Sequence, residues 1–247
     1  MTALAKWLAR DLDVSLETRV AAIQRGALGR SAGTLKTELA DKEQIDSTGV
    51  VLTAPLPQSL ALLETGGLAL DDSGQPLRQQ RYDPCLVLLV RSHSAPAGSR
   101  TRESYQVPGL FRCDETPFRL LSEHGTRREQ HSSNIWSCLL RADDSRELYD
   151  LTDEQLVRFL NDDLKALLPD AEVVSVKRWR YSEPAGQSER PQTHPAGLPL
   201  AVAPIQGLPL VLAGDGLAGA RVESAAESGQ AAAELMLALV DGPGAGA

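Results

Sequence analysis

At 247 residues, with 42% hydrophobic and 23% charged residues, the chain has the composition of an ordinary globular protein and falls outside the disordered class. A formal charge of −8 and a pI near 5.1, with no dense basic patch, argue against a sequence-independent grip on nucleic acid or an anionic membrane. Cys85, Cys113 and Cys138, without a C-x-x-C pair, read as reduced buried thiols, and no apolar run approaches the ~18 residues of a membrane span, so a soluble cytoplasmic protein is expected.

The chain opens with MTALAKWLARDLDV, where Leu4, Trp7 and Leu8 predict an amphipathic helix; it is too short and charged for a signal peptide, and Asp11 and Asp13 speak against a mitochondrial presequence. Val14, Leu16, Thr18 and Val20 then alternate with Ser15, Glu17 and Arg19, which predicts a strand. A glycine-containing turn and a second strand from Thr34 to Leu39 follow. Gly29-Arg-Ser31-Ala-Gly33 in that turn has the spacing of a nucleophile elbow, with Asp residues and His194 downstream in the appropriate order. Only 30 residues precede Ser31, too few for the strands that come before such an elbow, so a hairpin turn is the expectation. Gly49 to Ala54 reads as a buried strand ended by Pro55, and Pro57 suits the first turn of a helix through Leu60 to Leu63.

From about residue 66 to 182 the texture changes to separated strands, Cys85 to Val90, Phe118 to Leu121 and Asn134 to Arg141, which suits an antiparallel sheet. One helix interrupts them: Thr152 and Gln155 fit a capping box, Leu156, Phe159, Leu160, Leu164, Leu167 and Leu168 form its apolar face, and Pro169 stops it. A strand from Val173 to Tyr181 follows, with Trp179 and Tyr181 on one face and Arg178 and Arg180 on the other. Cys113, His124, His131 and Cys138 lack the close ligand spacing of a structural zinc site, and no metal is expected.

Pro184, Pro191, Pro195, Pro199 and Pro204 mark a long loop, after which Leu208 to Ala213 reads as a strand, then a glycine turn, then a helix from about Arg221 to Val240. Gly214, Gly216 and Gly219 have G-x-G-x-x-G spacing. A full dinucleotide fold needs a second parallel strand after the helix, and Leu235 to Asp241 instead continues the helical stripe. A strand ending in Gly-Asp, followed by small residues and a helix N-terminus, lets a bulky anionic cofactor approach, and Asp215 can accept hydrogen bonds from sugar-like hydroxyls. A tight turn serving only helix-on-sheet packing is the other reading of the same residues.

Five segments in order, MTALAKWLARDLDVSLETRV, VVLTAPLPQSLALL, YDPCLVLLV, VKRWRYSEP and LVLAGDGLAGARVESAAESGQAAAEL, resemble the renalase-type FAD/NAD-dependent amine oxidoreductase family. In that family the dinucleotide fingerprint lies on an N-terminal strand-turn-helix, and nothing between Met1 and Gly49 replaces it. The resemblance therefore implies an α/β fold. It would be an incomplete FAD-binding Rossmann-like layer (missing the first strand-turn-helix) with an inserted α+β antiparallel-sheet substrate domain. The layer would comprise residues 1–65 and 207–247, the substrate domain 66–182, and a Pro-rich loop 183–206.

The expected function is that of a subunit of a split FAD-dependent oxidoreductase, passing hydride from an amine or reduced nicotinamide-like small molecule to flavin. The partner would be a separate chain carrying the G-x-G-x-x-G segment. The alternative is a non-catalytic interaction protein that keeps the fold and binds no flavin. By resemblance, Gly214, Asp215, Gly219, Arg221 and Val222 would meet FAD, Val20 would lie near its adenine end, and Trp179, Arg180 and Tyr181 would wall the substrate pocket. Glu223 reads equally as a cofactor neighbour or as a charge favouring its own helix's first turn. Pro84 and Cys85 match a family dipeptide, yet Cys85 reads as buried and inert. No catalytic residue is assigned.

Overall fold

A computed structural model describes residues 2–26, 35–68, 70, 75–94, 96, 109–113, 116–124, 134–185, 201–202 and 205–241. The fold is mixed α/β and divides into two compact units, one formed by Met1–Gln80 with Gln192–Ala247, the other by Arg81–Pro191.

In the first unit, helix α1 (Thr2–Leu8) leads into a three-stranded antiparallel sheet of β1 (Val20–Arg25), β2 (Leu35–Leu39) and β3 (Gln44–Ser47). The strand expected from Val14 to Val20 does not form, and only Val20 joins β1. Leu12, Val14 and Leu16 are 67%, 52% and 81% exposed, so the alternation meets no neighbouring strand that would bury it. β3, QIDS, shows no apolar pattern and exists because it pairs with β2. Where Gly29–Gly33 lies, residues 27–34 are outside the described residues.

β4 (Val50–Leu52) is shorter than the expected strand from Gly49 to Ala54, and its central residue Val51 is exposed rather than buried. It runs parallel to β10 (Leu210–Leu212), with Val50, Val51 and Leu52 opposite Leu210, Val211 and Leu212. Between them in sequence, α2 (Leu56–Thr65) starts on Pro55, with a proline in its first turn, and buries Leu56, Leu60 and Leu63. Its Ser59 hydroxyl donates to Ala54 O at 2.9 Å. The helix ends on Gly66, whose N–H donates to Leu62 O and Leu63 O. The short α3 (Gln75–Gln79) follows.

In the second unit, β5 (Tyr82–Arg91), β6 (Leu110–Arg112), β7 (Phe118–Glu123), β8 (Ile135–Leu140) and β9 (Glu172–Pro184) form an antiparallel sheet in the order β6-β7-β8-β5-β9. Two helices, α4 (Ala142–Glu147) and α5 (Asp153–Leu167), lie between β8 and β9 in sequence. Gln155 N donates to Thr152 Oγ1 while Gln155 Oε1 accepts from Thr152 N, which completes the capping box. Leu156, Leu160, Leu164, Leu167 and Leu168 pack with Leu86, Leu88, Val90, Leu121, Cys138 and Leu140. Phe159, expected on that face, is 60% exposed at its rim.

Asp170, in the turn between α5 and β9, fastens the exit of β5. Its carboxylate accepts from Ser92 Oγ at 2.5 Å, His93 N at 2.8 Å and Ser94 N at 3.3 Å. The hydrogen bonds from Ser92, His93 and Ser94 hold its carboxyl well below the usual carboxylate range. A folded-state pKa lowered beneath the unfolded value of ~3.9 contributes stability that is present above that value and lost as pH falls through the folded pKa. Asp170→Asn is therefore expected to lower stability at neutral pH and to flatten its decline on acidification. Urea unfolding followed from pH ~7 to ~3 checks this, and an unchanged pH slope would contradict the latch.

The first unit closes with β10, then α6 (Asp215–Ala218), a single turn that the glycine spacing did not announce, and α7 (Val222–Asp241). Leu208, expected in the last strand, forms only an isolated bridge with Ile205. The segment Leu235 to Asp241 is helical, so the second strand of a full dinucleotide fold is not there. Small residues let α7 approach β10: Ala232, Val211, Ala213 and Ala201 share one buried cluster with Met236 and Leu239 packed against it. Among the described residues no helix is long and apolar enough to cross a membrane.

Candidate functional site

The parallel pairing of β4 and β10 brings two carboxyl ends together, since Leu52 lies opposite Leu212 and Ala213 N donates to Leu52 O at 3.0 Å. The chain leaves the sheet there as Thr53-Ala54 and as Gly214-Asp215. The space beyond the carboxyl ends of parallel strands is where α/β sheets bind ligands.

Gly214 has φ 128° and ψ −176°, and Gly219 has φ 113° and ψ 161°, regions that essentially only glycine adopts. A Cβ added at Gly214 would lie 3.5 Å from Thr53 O. The turn is held by its own hydrogen bonds: Leu217 N donates to Gly214 O at 3.1 Å, Gly219 N to Asp215 O at 2.8 Å, and Arg221 N to Gly219 O at 2.8 Å. Gly214 N donates to the hydroxyl of the fully buried Ser228 at 2.8 Å, so α7 anchors the end of β10. Asp215 opens α6 and is half-buried, while Arg221, Val222 and Glu223 are exposed at the start of α7.

The turn thus assembles five of the expected cofactor residues within one segment. Val20, the sixth, opens β1 in the other sheet of this unit, half-buried opposite Leu39. Ser228 and Thr53 were not expected. A serine among the alanines of α7 is the only sequence signal for the first, and the second depends on strand pairing.

The expected pocket residues lie on β9 in the second unit. Trp179 is 50% exposed opposite Cys85, and the Tyr181 ring meets Tyr82 edge-on at 5.8 Å. Arg178 donates to Tyr149 O at 3.3 Å and Leu151 O at 2.7 Å and pairs with Asp153, while the Arg180 guanidinium sits 5.1 Å from the Tyr149 ring centroid. The two arginines therefore brace the connection between α4 and α5, and Arg180 has a partner different from that of Tyr181.

An ion pair that sequence reading missed reaches from Arg119 on β7 to Glu183 on β9, across β8 and β5. Burial opposes the Arg119 charge, yet the hydrogen bond and charge of Glu183 outweigh it and raise the guanidinium's pKa. Arg119 Nε is buried without a partner. Burial also raises the neighbouring Cys85 thiol, and pushes Cys138 up to about 12 with a contribution from Cys113, so both sulfurs stay protonated at neutral pH and are poor nucleophiles. His124 Nε2 lies 2.7 Å from Ser137 Oγ. His131 is outside the described residues, and among those described no group of three or more His, Cys, Asp or Glu is placed to hold a metal.

A parallel strand pair ending in a glycine turn that carries an aspartate is an arrangement in which α/β proteins bind ligands. The family model of flavin-containing amine oxidoreductases matches residues 1–237, and the chain belongs to that family, whose cofactor is FAD. Among solved structures it is similar to a protein assigned as a protoporphyrinogen oxidase from Exiguobacterium sp. 255-15, at 17% identity and a TM-score of 0.60, over 96% of this chain and 51% of that one. Wild-type putrescine oxidase bound to putrescine matches at 12% identity and 0.58, over 95% and 52%. A fatty acid isomerase from P. acnes that produces CLA matches at 16% and 0.55, over 92% and 50%. The chain spans about half the length of these solved proteins. No curated protein matches it by sequence.

The site fits the cofactor's chemistry. Gly214 and Gly219 leave the backbone bare where any Cβ would stand, and Asp215 supplies an acceptor for hydroxyl groups.

Proposed function

We propose that this chain is a subunit of a split FAD-dependent oxidoreductase of renalase type, completed by a separate polypeptide carrying the G-x-G-x-x-G segment, and cytoplasmic. The bound flavin would accept hydride from an amine or a reduced nicotinamide-like substrate. This chain's residues would bind and orient: Gly214 and Gly219 admit the cofactor, Asp215 accepts from its hydroxyls, and Trp179 and Tyr181 offer aromatic walls to a small molecule. The observation that carries the reading is the Gly214–Gly219 turn in a chain of the flavin-containing family.

The distribution of exposed apolar side chains supports the split. Apart from Phe159, Val174 and Trp179, every large apolar side chain found exposed among the described residues belongs to the first unit, including Trp7, Leu8, Val51, Val222 and Leu237. That distribution supports the reading that another polypeptide covers part of the first unit.

The test is the purified chain, alone and together with a candidate partner carrying G-x-G-x-x-G, with FAD added. A yellow complex with flavin absorbance is expected. A stable but colourless complex would favour the interaction-protein reading instead. Asp215→Ala is expected to weaken flavin retention severalfold while leaving assembly intact, on the order of the ~1 kcal/mol of a lost hydrogen bond. Flavin released on dilution, measured by its fluorescence, checks this, and unchanged retention would remove Asp215 from the site.

A further inference from the structure

Paired residues of an antiparallel sheet put their side chains on the same face, and successive residues of a strand alternate between faces. In the second unit Leu86, Leu88, Leu121, Cys138 and Leu140 fill the face that packs with the leucines of α5, so Cys85 and its partner Trp179 lie on the other. Cys85 is 2% exposed and Trp179 50%. The Arg119–Glu183 ion pair lies over Cys85, since both of its charges bear on that thiol.

Two irregularities of the sheet aim the pair there. Phe118 faces Leu140 and Leu120 faces Leu139, which leaves Arg119 as an inserted residue in β7. Cys85 faces Trp179 and Asp83 faces Glu183, so β9 runs through Arg180, Tyr181 and Ser182 where β5 has only Pro84. Bulges of this kind forfeit ladder hydrogen bonds and re-aim side chains, and they recur beside binding sites. Stability gives little reason for the pair, because apolar residues of similar volume would serve a buried position as well. Nor is the pair saturated: its side chains are 26% and 25% exposed, Arg119 reaches Glu183 through Nη2, and its Nε is buried with no hydrogen-bond partner. A guanidinium commonly engages a carboxylate through two parallel N–H groups, and here Glu183 takes one end of the fork.

We propose that Arg119 and Glu183 form a two-charge clamp for a small aminocarboxylate, a molecule carrying an ammonium and a carboxylate together, whose apolar part lies against Trp179. On binding, the ligand's carboxylate takes the guanidinium and its ammonium takes Glu183. Each protein charge then exchanges one partner for another, and none is left buried alone. A ligand with only a carboxylate meets Glu183 as a like charge, and one with only an ammonium meets Arg119. Either leaves one member of the pair unmatched, which is how such a site rejects the wrong partner. The proposal rests on the reading above that Trp179 walls a small-molecule pocket, and it names the class of molecule.

The experiment titrates the purified full chain, FAD present, with L-phenylalanine, phenethylamine and hydrocinnamate by isothermal titration calorimetry. The three share one ring and carry both charges, the ammonium alone and the carboxylate alone. L-Phenylalanine is expected to bind about tenfold tighter than either relative, the worth of one charge-assisted hydrogen bond. Equal binding of all three, tighter binding of a singly charged one, or no binding would overturn the clamp. In Glu183→Gln the order is expected to change. Hydrocinnamate gains about tenfold over its binding to the unaltered chain, because the like charge is gone, and the advantage of phenylalanine disappears. A pair that only braces the sheet would leave the order as it was, and that result also counts against the clamp. Should Glu183→Gln fail to fold, judged by far-UV circular dichroism, the comparison on the unaltered chain decides alone. Flavin absorbance is read in the same samples. A preference for phenylalanine without bound flavin keeps the clamp and ends the flavin reading, and bound flavin without that preference does the reverse.

Discussion

Gly66→Ala is expected to leave the first unit unable to hold its native structure. A Cβ at Gly66 would stand 1.7 Å from Ile23 O, 2.4 Å from Ile23 C and 3.1 Å from Gln24 N. All three are backbone atoms of β1, so no side chain can swing aside. The φ of Gly66 is −85°, which alanine adopts freely, and the whole cost is therefore steric. To admit the methyl group the end of α2 must withdraw from β1, against which the helix packs. Overpacking of a core usually costs about 1–3 kcal/mol, and a backbone clash this close lies at or beyond that upper end. Against total stabilities of about 5–15 kcal/mol, a loss of ten degrees or more in Tm, or no folded protein, is the expected outcome. Gly229→Ala is the control, since a Cβ there meets nothing within 4 Å and the residue lies inside α7. It should stabilise by about 0.5–1 kcal/mol. If the two variants melted together, the close approach of α2 to β1 would be wrong.

Gly214→Ala separates conformation from contact. The added Cβ would lie an ordinary 3.5 Å from Thr53 O, but φ 128° with ψ −176° is a region closed to alanine, at a cost of about 1–3 kcal/mol. The chain can relieve that strain only by rotating the peptides around residue 214, which draws its N–H from Ser228 Oγ and leaves a fully buried hydroxyl short of a donor. The expected result is a fall of several degrees in Tm and, in the completed complex, a loss of flavin larger than that of Asp215→Ala, because the whole turn moves rather than one carboxylate. Ser228→Ala should reproduce part of the stability loss without altering the glycine. Thermal unfolding and the flavin-to-protein absorbance ratio read both effects. Undiminished flavin in Gly214→Ala would mean that this turn is packing alone.

Much of the helical structure was legible because its causes are local. Thr152 and Gln155 fix the start of α5, and the 3.6-residue spacing of Leu156, Leu160, Leu164 and Leu167 fixes its buried face. The unbroken stripe of α7 pointed to a helix rather than a second nucleotide-fold strand through Leu235 to Asp241, and the helix is there. The glycine turn was likewise visible as Gly-Asp after an apolar run, and the structure places it at the end of a strand paired in parallel. The fit of its details was not visible. A serine fourteen residues on supplies the acceptor for Gly214 N–H, and no spacing rule links the two positions.

By itself, then, the sequence determined the helices α1, α2, α5 and α7, the place of the glycine turn and the longer apolar strands of the second unit, since these follow from side-chain periodicity, caps and residue type along a short stretch. Only the tertiary structure decided which alternating segments became strands: residues 14–19 alternate and find no neighbour, whereas QIDS does not alternate and pairs with β2. It also decided that Arg180 stacks on Tyr149, that Arg119 reaches Glu183, and that Val51 is exposed. Each of these depends on a partner far away in the chain, and a strand's hydrogen bonds and a side chain's burial acquire their energies only when that partner is in place.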